Sequence, residues 1–266
     1  MASSRVAVAG TMRHEAPPMF VSIVSHGHGE AVLRLLTQMA QQCAASIHRV
    51  VLTLNIPEPG LDTSSVTWPF LLEVVSNHAP LGFGENHNRA LAGATEPLLC
   101  VLNPDVVLLP ATDPFALLAT AAQQPGVGCA YPVQLDENGR VQDSERETPT
   151  PWSLWQRRVR RRKEMRVDWV NAACLVLPRQ VWMDAGGFDT EYFMYCEDVD
   201  LCLRLRLQGL SLRRSTACIE HQGQRASGRQ WKHFVWHVTS LLRLWCSSVF
   251  WRACRLSHER APTVGN

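Results

Sequence analysis

The sequence predicts an α/β protein whose mostly parallel sheet is flanked by helices. From residue 20 onward, short apolar runs alternate with amphipathic stretches at the spacing of strand–helix units. The length of 266 residues and the 46% hydrophobic content are ample for one domain of this class with a buried core, and they exclude disorder over the whole chain.

In chain order, residues 20–25 (FVSIVS) read as a buried strand and 30–43 as an amphipathic helix. Residues 48–54 form a second strand, closed by the turn sequence IPEPG. Residues 71–77 make a third strand, 85–94 a helix, 97–103 a strand, and 113–124 a helix opening beside a proline. After residue 135 the pattern breaks, and 136–166 read as a polar, proline-bearing, basic excursion across the surface. Residues 168–178 then predict one strand and 179–189 a short helix stopped by Gly186 and Gly187. The stretch 197–209 is a helix with acids in its first turn and a glycine stop, and 210–221 is the last strand. Residues 229–255 read as a helical tail rich in aromatic and basic residues. The domain limits that follow are a loose tail over 1–18, the main domain over 19–228 and an extension over 229–266.

Net charge is +2, which argues against a dedicated nucleic-acid partner. The charge is unevenly spread, because residues 157–166 (RRVRRRKEMR) carry +6 and leave −4 for the remainder. The nine cysteines show no C-x-x-C pair and sit mostly in apolar runs, as expected of reduced, buried thiols in a cytoplasmic protein. The first 18 residues hold no apolar run long enough for a signal peptide.

In such a sheet, ligands bind outside the carboxyl ends of the strands, so the residues there are the candidates. Asn103-Pro104-Asp105 follows a strand. Asp105 is either a turn residue or a ligand to a magnesium-like ion shared with substrate phosphates. Glu197-Asp198-x-Asp200 opens a helix, where acids often only complement the dipole. The preceding aromatic, glycine-rich loop gives a carboxylate the apolar surroundings of a general base. Gly82-Phe83-Gly84 before a helix offers free amides to a phosphate or ribose, although it is no dinucleotide fingerprint. His26 and His28 flank Gly27 at the first strand end, and His221 follows the last strand. Each is either structural or a ligand.

Taken together, VSIVSHGHGE, NHAPLGFGENHNRAL, LLCVLNPDVVL, the run from Val170 to Leu205 and the trailing His221 resemble the inverting family 2 glycosyltransferases of the GT-A type. The likeness spans roughly residues 19–225 and is greatest to the rhamnosyltransferase-like branch that builds bacterial surface polysaccharides. It implies a Rossmann-like sheet, a Mg2+ or Mn2+ cofactor, a nucleotide diphosphate sugar donor and a lipid-linked saccharide acceptor. TDP-rhamnose is the favoured donor, with a UDP-sugar as the alternative. It also implies Asp198 as the base, Glu197 as its positioning neighbour, and Asp105 with His221 at the metal. Ser25, His26, Asn55, Gly82, Gly84, Asn88 and Asn103 fall to the donor. Two positions depart from the pattern. Asn103 stands where the metal motif has its first acid, and Leu54 where relatives carry an aspartate that reads the base. Asn55 is then either a substitute for that aspartate or a turn residue.

Competing readings are a processive synthase, a nucleotidyltransferase and a non-catalytic sugar-nucleotide binding module. Gln222-Gly-Gln-Arg225-Ala226 ends in alanine where a synthase has tryptophan, and no Gly/Lys-rich phosphate loop follows the first strand. The C-terminal tail contains no 18-residue uncharged apolar stretch, so a membrane-spanning helix is not expected. Its aromatic and basic residues suit either a peripheral position on the inner face of the bacterial inner membrane or a cap packed on the core.

Overall fold

The computed structural model describes residues 17–160, 166–223 and 230–259. Strand β1 (Met19–Ser25) leads through α1 (Gly29–Gln42) to β2 (Ile47–Leu54) and then to β3 (Leu71–Ser76). Helix α2 (Phe83–Ala90) returns to β4 (Leu98–Leu102). A short β5 (Val106–Leu108), α3 (Pro114–Ala122) and β6 (Val127–Leu135) follow. Next come β7 (Glu145–Arg146), α4 (Pro151–Arg160), β8 (Trp169–Val170) and β9 (Cys174–Pro178). The chain closes with α5 (Arg179–Ala185), α6 (Glu197–Leu207), β10 (Ser211–His221), α7 (Gln230–Cys246) and α8 (Ser248–Glu259).

Eight strands form one sheet in the order β3-β2-β1-β4-β9-β6-β10-β5. Strands β1 to β4 pair in parallel, as do β6 and β10. Strand β9 is inserted antiparallel between β4 and β6, and β5 runs antiparallel to β10. Six strands therefore share one direction, and the carboxyl ends of β1 to β4 meet on one edge. Alternate residues of β1 feed opposite faces. Val21 and Ile23 pack under α1 and α3, while Phe20 lies with Leu175, Trp182 and Leu201 on the other side.

Local sequence explains the elements. Helix α1 buries Ala31, Val32, Leu35, Leu36 and Met39, one stripe at helical spacing. Asp113 caps α3 by accepting from the N–H groups of Phe115 and Ala116, with Pro114 in the first turn. Gly186 ends α5 in the left-handed conformation.

Several expectations need correction. Residues 136–166 are not only a surface excursion, because they hold β7 and α4. The single strand expected at 168–178 is two strands, because Trp169–Val170 pairs with β7 whereas Cys174–Pro178 pairs with β4. Strand β5 was not anticipated. The tail is two helices, broken at Ser247, whose hydroxyl caps α8 by accepting from Phe250 N at 3.1 Å. All nine cysteines are free thiols and six are buried.

The fully buried Asp168 ties this region to α6. Its carboxylate accepts from Arg166 at 2.7 Å and from Thr148 through both N–H and hydroxyl, and it forms an ion pair with Arg206 at 2.8 Å. Burial alone would raise its pKa. The Arg166 and Thr148 hydrogen bonds and the Arg206 charge reverse this and hold it below the ordinary aspartate range. A depressed carboxylate stabilises the fold above its unfolded pKa, and that contribution is lost as pH falls through the folded value. Asp168→Ala is expected to destabilise the protein by about 3–5 kcal/mol in urea melts at pH 7, since it strands buried guanidinium charge. The gap from wild type should narrow below about pH 4. An unchanged gap would show that the carboxylate's charge is not what stabilises the fold.

Candidate active site

The carboxyl edge of the sheet is built from asparagines. Asn55, just past β2, donates to the Leu81 carbonyl at 3.0 Å and accepts from Leu81 N at 2.8 Å and from Asn77 at 2.9 Å. Its amide also lies 3.3 Å from His26 Nδ1. Asn77, just past β3, reaches Asn86 at 2.6 Å, and Asn86 donates back to the Gly82 carbonyl. This ladder fixes the 78–84 loop against the strand ends, and both polar ends of Asn55 are engaged within the protein. Beside it, the Ser25 hydroxyl accepts from His28 N, and His28 Nδ1 accepts from His26 N. The buried His87 lies 2.8 Å from the Ser22 hydroxyl, and burial lowers its pKa to about 3, so it is neutral.

The glycines at 82 and 84 have a steric cause. A Cβ on Gly82 would lie 2.7 Å from the Phe193 carbonyl oxygen, and one on Gly84 would lie 2.6 Å from Phe188 Cβ. Phe83 N donates to that same Phe193 carbonyl at 3.0 Å. Asn88 clasps the Phe188 backbone in both directions, accepting from its N–H at 2.9 Å and donating to its carbonyl at 2.8 Å. Gly82, Gly84 and Asn88 thus lock the start of α2 to the aromatic loop between α5 and α6.

Asp105 and His221, far apart in sequence, are brought together at the end of the sheet. Asp105 follows β4, His221 ends β10, and Asp105 Oδ1 lies 3.4 Å from His221 Nε2. The pairing of β5 with β10 sets this approach, with His221 opposite Val106. One carboxylate and one imidazole suit a divalent ion whose other ligands come from a substrate diphosphate. Among the described residues, no group of three His, Cys, Asp or Glu side chains could hold a metal unaided. Asn103, half-buried, donates its N–H to the Ala173 carbonyl at 2.8 Å.

The acids at the head of α6 fall into two roles. Glu197 is buried, and burial together with the neighbouring Asp198 charge pushes its carboxyl well above the ordinary glutamate range. Burial pushes Asp198 up to about 6, against the N–H groups of Val199, Ala172 and Asp198 itself, which favour the ionised form. Ala172 bonds Asp198 while the next residue accepts from Asn103, so the short 171–173 segment joins the α6 acids to the Asn103–Asp105 turn. Asp200 turns about 200° away along the helix. It pairs with Arg204 at 2.7 Å, and Arg204 donates to the carbonyls of Ala185 and Gly187.

Tyr195 and Cys196, directly before the acids, both take left-handed φ of +72° and +66°. Sequence reasoning missed this pair, as it missed Asn77, Asn86 and Ala172. Asn77 carried a signal, since it repeats the strand-then-asparagine pattern of Asn55. Ala172 carried none.

A protein of Mycobacterium tuberculosis, N-acetylglucosaminyl-diphospho-decaprenol L-rhamnosyltransferase, is 30% identical over 239 residues, covering 79% of this chain and 77% of that protein. The rhamnosyltransferase WbbL of Escherichia coli is 26% identical over 246 residues, 85% of this chain and 91% of WbbL. Among solved structures, the mannosyltransferase PcManGT from Pyrobaculum calidifontis, in complex with GDP-Man and Mn2+, matches with a TM-score of 0.61 at 14% identity. That match covers 93% of this chain and 77% of that one. S. aureus TarS 1-349 matches with a TM-score of 0.55, also at 14% identity, over 77% of this chain and 60% of that one. At these identities the solved structures speak to the fold alone. No protein-family model matches the chain. The sheet order, the site at its carboxyl edge and the 30% identity across most of both chains lead to one assignment: this chain belongs to the GT-A glycosyltransferases, among the relatives of the bacterial rhamnosyltransferases.

Proposed function

We propose that the protein transfers L-rhamnose, with inversion, from a nucleotide diphosphate donor to a hydroxyl of a lipid-linked saccharide in bacterial surface polysaccharide synthesis. It does so in the cytoplasm, at the inner face of the inner membrane. The relatives support the sugar and the lipid-linked acceptor. The observation that carries the chemistry is the raised, half-buried Asp198 carboxylate, linked through Ala172 and Ala173 to the Asn103–Asp105 turn. Among the described residues no helix is long and apolar enough to cross a membrane.

In this reading Asp198 takes the proton of the acceptor hydroxyl as its oxygen bonds to the anomeric carbon and the bond from that carbon to the diphosphate breaks. Glu197, whose burial favours the protonated form, adds no second negative charge beside the base. Asp105 and His221 would hold Mg2+ or Mn2+, which would supply positive charge against the diphosphate. Ser25, His26, Asn55 and Asn103 border the donor, and Gly82, Gly84 and Asn88 shape its wall through the loops they lock together. TDP-rhamnose is the preferred donor.

Three outcomes follow. Asp198→Asn should lower turnover by about 10²–10⁴-fold with donor affinity kept, whereas Asp200→Asn should act mainly through stability. Equal losses of turnover in two folded variants would reverse the roles. Wild-type kcat/KM should rise with pH through about 6, as Asp198 of the free protein ionises. A carboxylate with a raised folded pKa destabilises the fold once ionised, so Asp198→Asn should melt higher than wild type at pH 8 and alike near pH 4.

Asp105→Ala should abolish the Mn2+-dependent part of TDP binding in calorimetry while leaving the melting profile intact. Unchanged metal-dependent affinity removes Asp105 from that role. With TDP-rhamnose and UDP-hexoses compared side by side, turnover should favour TDP-rhamnose, and robust use of a UDP-hexose alone would overturn the donor assignment.

A further inference from the structure

Helix α7 has two working faces on opposite sides. On one, His233, Trp236, Ser240 and Arg243 meet the aromatic loop that leads to Glu197 and Asp198. His233 Nδ1 lies 2.8 Å from the Tyr195 hydroxyl, and Ser240 donates to the Met194 carbonyl at 2.8 Å. The Trp236 ring lies 5.0 Å from Phe193, and Arg243 pairs with Asp189 and Glu191. The segment so held contains the left-handed Tyr195 and Cys196.

The opposite face carries Trp231, Phe234, Val235, Val238 and Leu242, grouped within about 100° of the helix circumference. All five are exposed, Trp231 to 76% and Phe234 to 57%. Beside the far end of α7, Trp245 donates to the Pro149 carbonyl at 2.8 Å, two residues before α4 begins. Helix α4 shows a second exposed stripe, Trp152, Trp155 and Val159, with the two indoles stacked at 4.9 Å. That helix leads into the 157–166 sequence with its net charge of +6.

We propose that α7 couples membrane docking to the active site: its outer face seats in an anionic bilayer surface, and its inner face transmits that contact to the loop carrying the base. Aromatic stripes beside a basic run match the headgroup boundary of anionic lipid, where rings enter the interface and cations meet phosphate. In a symmetric dimer this face would meet its own copy, which brings like charge rather than opposite charge to the basic run. Docking orders α7, α7 fixes residues 189–196, and Asp198 is held where it meets the acceptor hydroxyl. The functional consequence rests on the sugar-transfer reading, whereas the mechanical coupling does not.

The test uses full-length protein with vesicles of phosphatidylglycerol and phosphatidylethanolamine, against phosphatidylcholine alone. Wild type should float with the anionic vesicles at low salt, and amide hydrogen exchange over 189–198 should then slow about fivefold or more, the lower end of ordinary coupling between sites. The triple variant Trp231→Ser, Phe234→Ser, Leu242→Ser should lose both effects. His233→Ala with Ser240→Ala should still float, but without protection of the loop and with lower kcat at unchanged donor affinity. His233→Gln, which keeps a hydrogen-bonding side chain toward Tyr195, should restore much of the protection. Flotation with no change in loop exchange overturns the coupling. Failure of folded wild type to float overturns the docking, and a dimer dissolved by the triple variant would then assign the outer face to a second copy. Absence of any sugar transfer would defeat the functional reading while the exchange data still decide the coupling.

Discussion

Between the Gly82–Gly84 turn and the loop after α5 there is no room for even one additional carbon atom. Two aromatic residues, Phe188 and Phe193, occupy the space that side chains at 82 and 84 would take. Asn88 and Gly187 tighten the same seam, since a Cβ on Gly187 would lie 2.5 Å from the Asn88 oxygen. Everything on either side depends on this approach. Toward the sheet it fixes α2 and, through Asn86, the asparagine ladder that closes the ends of β2 and β3. Toward the acids it sets the path by which the chain enters α6.

That path ends in strain and in buried charge. Two consecutive left-handed residues without glycine cost of order 1–3 kcal/mol each, and they persist only where the surroundings over-determine them. Here the loop is pinned by the glycine seam on one side and by α7 on the other. Immediately beyond it, Glu197 and Asp198 are placed where burial disfavours their ionised forms. A sequence selected only for stability would not put two carboxylates there. Asp200, one turn-face away, shows the conventional solution, a close arginine pair that ties α6 back to the end of α5.

The strands were legible because each is a short apolar run bounded by turn residues, α1 because of its apolar stripe at helical spacing, and α3, α5 and α6 because each carries its cap or stop in the sequence. Direction was not legible. CLVLP gives the same apolar pattern whichever way it runs, so the antiparallel insertion of β9 between β4 and β6 depends on tertiary pairing alone. The interruption before it arises because the chain changes partner there, from β7 for Trp169–Val170 to β4 for Cys174–Pro178, and nothing in the local sequence announces that. Asp105 and His221 were both candidates from their places at strand ends, and their juxtaposition follows from the pairing of β10 with β5, a strand too short to stand out. Asn55 drew notice as a possible reader of the donor base, whereas its amide is engaged in the ladder to Leu81 and Asn77.

The C-terminal helices show why a single reading of an aromatic, basic tail is insufficient. Leu244, Phe250 and Ala253 are buried against Tyr192, Val199 and Leu203, so the tail completes a small core with α6. A cap needs to be apolar only on its inner side, yet α7 is also apolar outward, over more than three turns, where burial within the chain offers no compensation. Its inner side is more polar than a cap requires, meeting the loop through a histidine, a serine and an arginine. Hydrogen bonds of this kind add little net stability but fix orientation. The distribution of residues on α7 therefore follows from two demands: an outward face selected for a surface, and an inward face selected to hold the Tyr195–Cys196 backbone in a conformation it would otherwise leave.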